Sequence, residues 1–153
     1  MFQVGESLRK FWLRQGVGLN PGASVDDLAA FETKYHVHLP SDLREYFAAV
    51  NGFGGSGFGT DGEGITFLGL DEVKPLSEYW SPDVPDADDY FVLADFDISA
   101  HVYAIRLLNN LGDGNPVVVV YDGRPVEVAG SFSEFAEGYL ENNNAVLFPD
   151  PQA

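Results

Sequence analysis

The stretch Val37-His-Leu-Pro-Ser-Asp-Leu-Arg-Glu-Tyr-Phe-Ala-Ala-Val-Asn-Gly-Phe53 holds the start, the stop and the core face of one helix in 17 residues. Pro40 suits the first turn, where its missing N–H is not needed and its fixed φ matches helix entry. Leu43, Tyr46, Phe47 and Val50 fall at i, i+3, i+4 and i+7, one apolar face that has to be buried. Asn51-Gly52 then offers a left-handed stop, and a run of glycines follows.

Toward the N-terminus, Ser24 and Asp27 resemble a capping box with the shorter acid, ahead of apolar Leu28, Phe31 and Tyr35. They predict a helix running to about His36. Only Val37-His-Leu39 separates it from the central helix, so the two are expected to be spatial neighbours. Val4, Leu8, Phe11 and Trp12 recur at helical spacing, with Arg9, Lys10 and Arg14 filling other positions, and predict a first helix over Val4–Arg14. The turn-rich link Gly16–Gly22 ends it. Leu43, Phe47 and Val50 are expected to share a core with Leu28, Phe31 and Phe135.

Toward the C-terminus, seven glycines lie between Gly52 and Gly64, and G-x-G-x-x-G can be read twice, from Gly52 and from Gly57. A dinucleotide site needs that motif after a strand and at the opening of a helix. Here it follows a helix and leads into the strand-like Ile65-Thr-Phe-Leu68, and Asp61 and Glu63 would repel phosphate, so a connecting loop is expected. Asp71 to Trp80, interrupted by Pro75, reads as one or two helical turns, and Ser81 to Asp89 as a loop. Tyr90–Ala94, His101–Leu108, Pro116–Tyr121 and Pro125–Val128 carry β signals, and Asp113-Gly114 and Asp122-Gly123 mark turns that favour an antiparallel meander. Ser131-Phe-Ser-Glu134 opens a last helix with Phe135, Tyr139 and Leu140 inward, stopped by Asn142-Asn-Asn144.

The chain has 153 residues, 45% of them hydrophobic and 14% aromatic, which is enough for one well-packed core and argues against disorder. No internal repeat or long linker marks a second domain. Eight basic against 24 acidic residues leave a formal charge of −16. Such a surface repels nucleic acid and anionic membranes and favours a basic partner. Without cysteine there is no disulfide, thiol nucleophile or thiolate metal site, which fits a reducing cytosol. Neither an export signal nor a membrane span is expected.

Catalytic and metal patterns are weak. His36 and His38 would need His101 to complete a metal site, and surface or partly packed histidines are the simpler reading. Asp95-Phe-Asp97-Ile-Ser99 starts like a calcium loop, but Ala100 and Arg106 stand where glycine and glutamate belong. Ser56 lacks the G-x-S-x-G elbow, because Phe58 occupies its last position. No cofactor, metal or stoichiometric nucleotide is expected. The informative stretch runs from Pro75 to Ile105, which has no Lys or Arg but carries Glu78, Asp83, Asp86, Asp88, Asp89, Asp95 and Asp97, interleaved with Tyr79, Trp80 and Tyr90. Aromatic rings beside charge are the usual material of a protein-binding hot spot, whereas a solvated acidic loop over a core tryptophan is the bland alternative.

The order and spacing of Asp27-Leu28 and Phe31-Glu32, Leu39-Pro-Ser-Asp-Leu43, Asn51-Gly52 and Gly130-Ser-Phe-Ser-Glu-Phe135 resemble the SUKH superfamily over about residues 20 to 140. That superfamily contains the fungal cell-wall-synthesis regulators and many bacterial immunity proteins. The resemblance implies a single α+β domain, residues 1–153, with N-terminal helices packed on a mainly antiparallel β-sheet and a further helix after the last strand. It also implies binding rather than catalysis. The leading expectation is a cytoplasmic immunity protein that binds and neutralises a basic toxin domain of nuclease or deaminase type through an acidic surface. Candidate binding residues are Tyr79, Trp80, Asp83, Asp86, Asp88, Asp89, Asp95 and Asp97. A regulatory or scaffold interaction protein is the alternative, and a hydrolase or metal-dependent enzyme a distant third.

Overall fold

The computed structural model describes residues 3–54, 61, 64–79, 84–96, 101–109, 114–121 and 124–149. Helices α1 (Val4–Arg14), α2 (Val25–Tyr35) and α3 (Ser41–Ala49) come first, then strand β1 (Ile65–Phe67) and the single-turn helix α4 (Leu76–Tyr79). Strands β2 (Tyr90–Phe96), β3 (His101–Arg106), β4 (Val117–Tyr121) and β5 (Arg124–Ala129) follow, with α5 (Phe132–Leu140) and α6 (Asn144–Leu147) after them. None of the described helices is long and apolar enough to cross a membrane.

The central helix begins as its sequence dictates and ends differently. Pro40 is the N-cap and Ser41 the first helical residue. Leu43, Tyr46, Phe47 and Val50 are all buried, in one cluster with Leu28, Phe31 and Phe135. Yet the helix stops at Ala49, and Val50 is already extended, at φ −152° and ψ 133°. Gly52 does adopt φ 73°, but its work is tertiary, because a Cβ there would stand 2.4 Å from the Gly69 nitrogen. Asn51 Oδ1 accepts from Leu70 N at 2.6 Å, and Asn20 Nδ2 donates to the carbonyls of Asn51 and Phe53. The chain therefore leaves α3 pressed against the segment after β1. The left-handed helix cap lies instead at His36, φ 56°, which closes α2.

The helix that runs beside α3 is α1. Gly5 makes this approach possible, since a Cβ there would come within 2.8 Å of the Ala49 Cβ and the Glu45 carbonyl. Helix α2 meets α3 at Glu32, whose Oε2 accepts from Leu39 N at 2.8 Å and Arg44 Nη2 at 2.7 Å. Burial raises the Glu32 pKa, but the Leu39 N–H, Arg44 and His38 outweigh it and hold the carboxyl below its ordinary range. The short loop is pinned to the chain just after β3 by His38 N donating to Leu108 O at 2.8 Å, and Phe31 and Tyr35 pack on Phe91 of β2. The rings of Phe31 and Tyr35 thus seat α2 on β2, while the Glu32–Arg44 pair joins it to α3.

All strand pairs are antiparallel, in the order β1-β2-β3-β4-β5, so the predicted meander holds and β1 adds a fifth strand beside β2. The register sets Phe67, Ala94, Tyr103, Val119 and Val126 side by side. This row faces the helices, because Phe67 and Tyr103 both touch the ring of Phe135. Trp12 fills the gap between α1 and the sheet, in ring contact with Tyr46, Phe53, Phe67 and Tyr139. The opposite face presents Val92, Val102, Ala104, Val118 and Val120, none more than 3% exposed. Buried Leu76, Val84 and Ala87 belong to the chain that reaches this side, α4 and the turn after it. Acidic residues thus ride on a segment whose apolar side chains are inside.

The helix-facing core contains one acid that its sequence context does not announce. Asp61 is 8% exposed, accepts from Tyr139 Oη at 2.6 Å and from Ile65 N at 3.1 Å, and Trp12 Nε1 donates to the same tyrosine oxygen at 2.7 Å. Asp61→Ala would leave two buried donors without their acceptor and should cost about 2–3 kcal/mol, read as a lower denaturant midpoint at unchanged slope. The last helix keeps half of its capping box. Ser131 Oγ accepts from Glu134 N, while Glu134 Oε2 reaches back to Gly130 N rather than to the cap residue.

Candidate protein-binding site

Of the residues singled out from sequence, Tyr79, Asp86, Asp88, Asp89 and Asp95 are described, whereas Trp80, Asp83 and Asp97 lie outside the described residues. The turn after α4 has a local logic. Ala87 N donates to Val84 O and Asp89 N to Asp86 O, and Asp86 takes the left-handed conformation, φ 58°, which aspartate tolerates better than most residues. Val84 and Ala87 therefore point inward, while Pro85, Asp86 and Asp88 are exposed. Ser77 N donates to Ala87 O and Ser77 Oγ to Asp88 Oδ1, which makes α4 and the turn one unit. The unit is tied to the sheet where Leu107 N donates to Asp89 O and Val92 N to Lys74 O.

The predicted residues divide into two groups. Tyr79 and Asp95 form a half-buried pair, with the tyrosine hydroxyl donating to Asp95 Oδ2 at 3.0 Å and Lys74 Nζ lying 5.5 Å from the ring centre. They support the segment and offer a partner only their rims. Asp86, Asp88 and Asp89 crown a shallow hollow with Ser77, Val84 and Ala87. Beside it, burial lifts the pKa of the Tyr90 phenol, Arg106 pulls it down, and Asp86, Glu127 and Asp89 push it up again. Glu127, exposed on β5, thus joins the acidic patch around one half-buried arginine. Sequence reasoning missed it. The available signal was the alternation along Arg124–Ala129, which with the Val118↔Glu127 register brings Glu127 to the face that carries Val118, Ala104 and Val92.

Other chemistry does not assemble among the described residues. His36 and His38 are exposed, whereas His101 is buried beyond the expectation for it, its ring stacked 4.8 Å from that of Phe96 and its Nε2 3.1 Å from Tyr103 Oη. No group of three or more His, Asp or Glu side chains among the described residues is placed to hold a metal ion. Ser56, Asp97 and Ser99, which the nucleophile and calcium-loop readings used, lie outside the described residues.

Comparison with curated proteins finds no match to the chain. The model of the SMI1 / KNR4 family (SUKH-1) matches residues 22–138, which begin just before α2, take in the whole sheet and reach into α5. Helix α1, which supplies Trp12 to the core, and helix α6 lie outside that span. With most of its length matched in the order the fold requires, the chain belongs to the SMI1 / KNR4 family (SUKH-1).

Proposed function

We propose that the protein is a non-catalytic binding module of the cytoplasm, an immunity protein that neutralises a basic toxin acting on nucleic acid. Family membership is consistent with a protein-interaction or immunity module. The observation that carries the reading is the acidic turn 84–89, anchored by Val84 and Ala87, with Asp86 and Asp88 exposed in a span from Pro75 to Ile105 that has no Lys or Arg. On this reading Asp83, Asp86, Asp88, Asp89, Asp97 and Glu127 stand in for nucleic-acid phosphates and cover a basic cleft, by steric occlusion and charge complementarity. The same charge disfavours direct binding to nucleic acid or to an anionic membrane.

The test is stoichiometric inhibition of a toxin encoded immediately upstream of this chain's gene. Inhibition of a nuclease or deaminase at one equivalent supports the immunity reading. A stable partner whose activity is untouched would favour a regulatory or scaffold role instead. Trp80→Ala separates anchor from core: as an interface residue it should speed dissociation roughly tenfold or more and leave the melting temperature unchanged. Destabilisation of the free protein with an unaltered dissociation rate would remove Trp80 from the proposed surface.

A further inference from the structure

We infer a second recognition point, a groove between α2 and the segment after β1 that accepts an arginine side chain on an extended stretch of a basic protein partner. The inference rests on the protein-binding reading above and names a place on the partner's path. Asp27, Ala30, Phe31 and Tyr35 lie along one side of α2, and Asn51 and Asp71 face them across a hollow of about 410 Å³. The floor is apolar and already fixed, since Phe31 is packed against Phe91. Acids stand on both walls, Asp71 on one and, on the other, Asp27, whose Oδ2 already accepts from Ser24 N at 3.0 Å in the α2 cap, which leaves Oδ1 as the second acceptor. The single base of the groove, Lys34, lies 5.1 Å from the centre of the Tyr35 ring. Asn51 has committed its Oδ1 to Leu70 N, so its Nδ2 is the part left to receive a ligand carbonyl.

This combination suits arginine better than any other side chain. A guanidinium can stack on Tyr35 in place of Lys34, lay its aliphatic stem along Ala30 and donate in plane to a carboxylate, whereas an ammonium acts as a compact point charge. An extended backbone carrying that residue could offer a carbonyl to Asn51. An acidic segment would meet Asp27 and Asp71 with like charge, and a purely apolar one would leave Asp71 with no partner but water. A chain of formal charge −16 adds long-range attraction for the basic segment and does not by itself choose the groove.

The experiment follows backbone amide shifts in the full-length protein at about 0.15 M salt, where long-range attraction is screened. The probes are nona-arginine, nona-lysine and nona-glutamate. Nona-arginine should shift the amides of Ala30, Lys34, Tyr35, Asn51 and Asp71 in a saturable way, nona-lysine more weakly and nona-glutamate not at all. Ala30→Arg, at an exposed helical position that tolerates a long side chain, should fill the groove and weaken binding roughly tenfold or more. Asp71→Asn should weaken it less, and the double change Asp86→Asn and Asp88→Asn should leave the groove shifts in place. Shifts confined to residues 84–90 and Glu127, equal affinity for the two basic peptides, or unchanged affinity in Ala30→Arg would overturn the groove. A toxin neutralised equally well by wild type and Ala30→Arg would also overturn it and leave the proposed function standing.

Discussion

Trp12→Ala is expected to be among the two most damaging single substitutions argued here, lowering stability by about 3–5 kcal/mol, the usual range for a buried tryptophan. Trp12 is 0% exposed and meets four aromatic rings drawn from α3, the chain after it, β1 and α5. Its loss opens a cavity where α1, α3, β1 and α5 meet and removes the indole N–H that donates to Tyr139 Oη at 2.7 Å. For a domain of this size the melting temperature should fall by roughly 6–20 °C. Trp12→Phe keeps one ring but loses the donor and the rest of the indole's volume, so it should recover part of that stability. Equal losses in the two variants would show that a phenyl ring recovers nothing, and would contradict the packing of Trp12 against its four ring neighbours.

Phe47→Ala is the second, also at about 3–5 kcal/mol. Phe47 is 0% exposed on the inner face of α3, and its carbonyl accepts from Ala23 N at 2.7 Å, which seats the link between α1 and α2 on the end of α3. The substitution empties the ring's volume and leaves that backbone bond in place. It should therefore lower the denaturant midpoint without changing the slope, since the surface exposed on unfolding is nearly the same. A variant that melts within a degree or two of wild type would contradict the packing of α3.

Local pattern carried most of the fold. α1 spans Val4–Arg14, as the spacing of Val4, Leu8 and Trp12 requires, and β4 and β5 follow the β-branched runs bounded by turn residues. Features made by distant partners escaped. The end of α3 is set by Gly52 against Gly69, and no pattern within the helix announces that contact. Asp61 looks like a loop acid until Tyr139 and Trp12 are brought to it from the two ends of the chain. The short loop after α2 suggested adjacency to α3, but not the Glu32–Arg44 pair that joins them or the backbone bond from His38 to Leu108. The candidate site shows the same division. The acidic run around Asp86 was legible as composition, whereas the Tyr79–Asp95 pairing and the arrival of Glu127 depend on strand register.

The central claim is that an acidic surface centred on the turn 84–89 captures a basic protein, and association kinetics test it most directly. The partner's association rate should be measured against salt for wild type and for the chain with Asp83, Asp86, Asp88 and Asp89 all changed to Asn. The account predicts that wild type associates fast at low salt and slows steeply as salt is added. The fourfold variant should associate roughly tenfold or more slowly, with a flattened salt dependence and a melting temperature near that of wild type. An association rate indifferent to both the four substitutions and the salt would contradict it and move the binding surface elsewhere on the molecule.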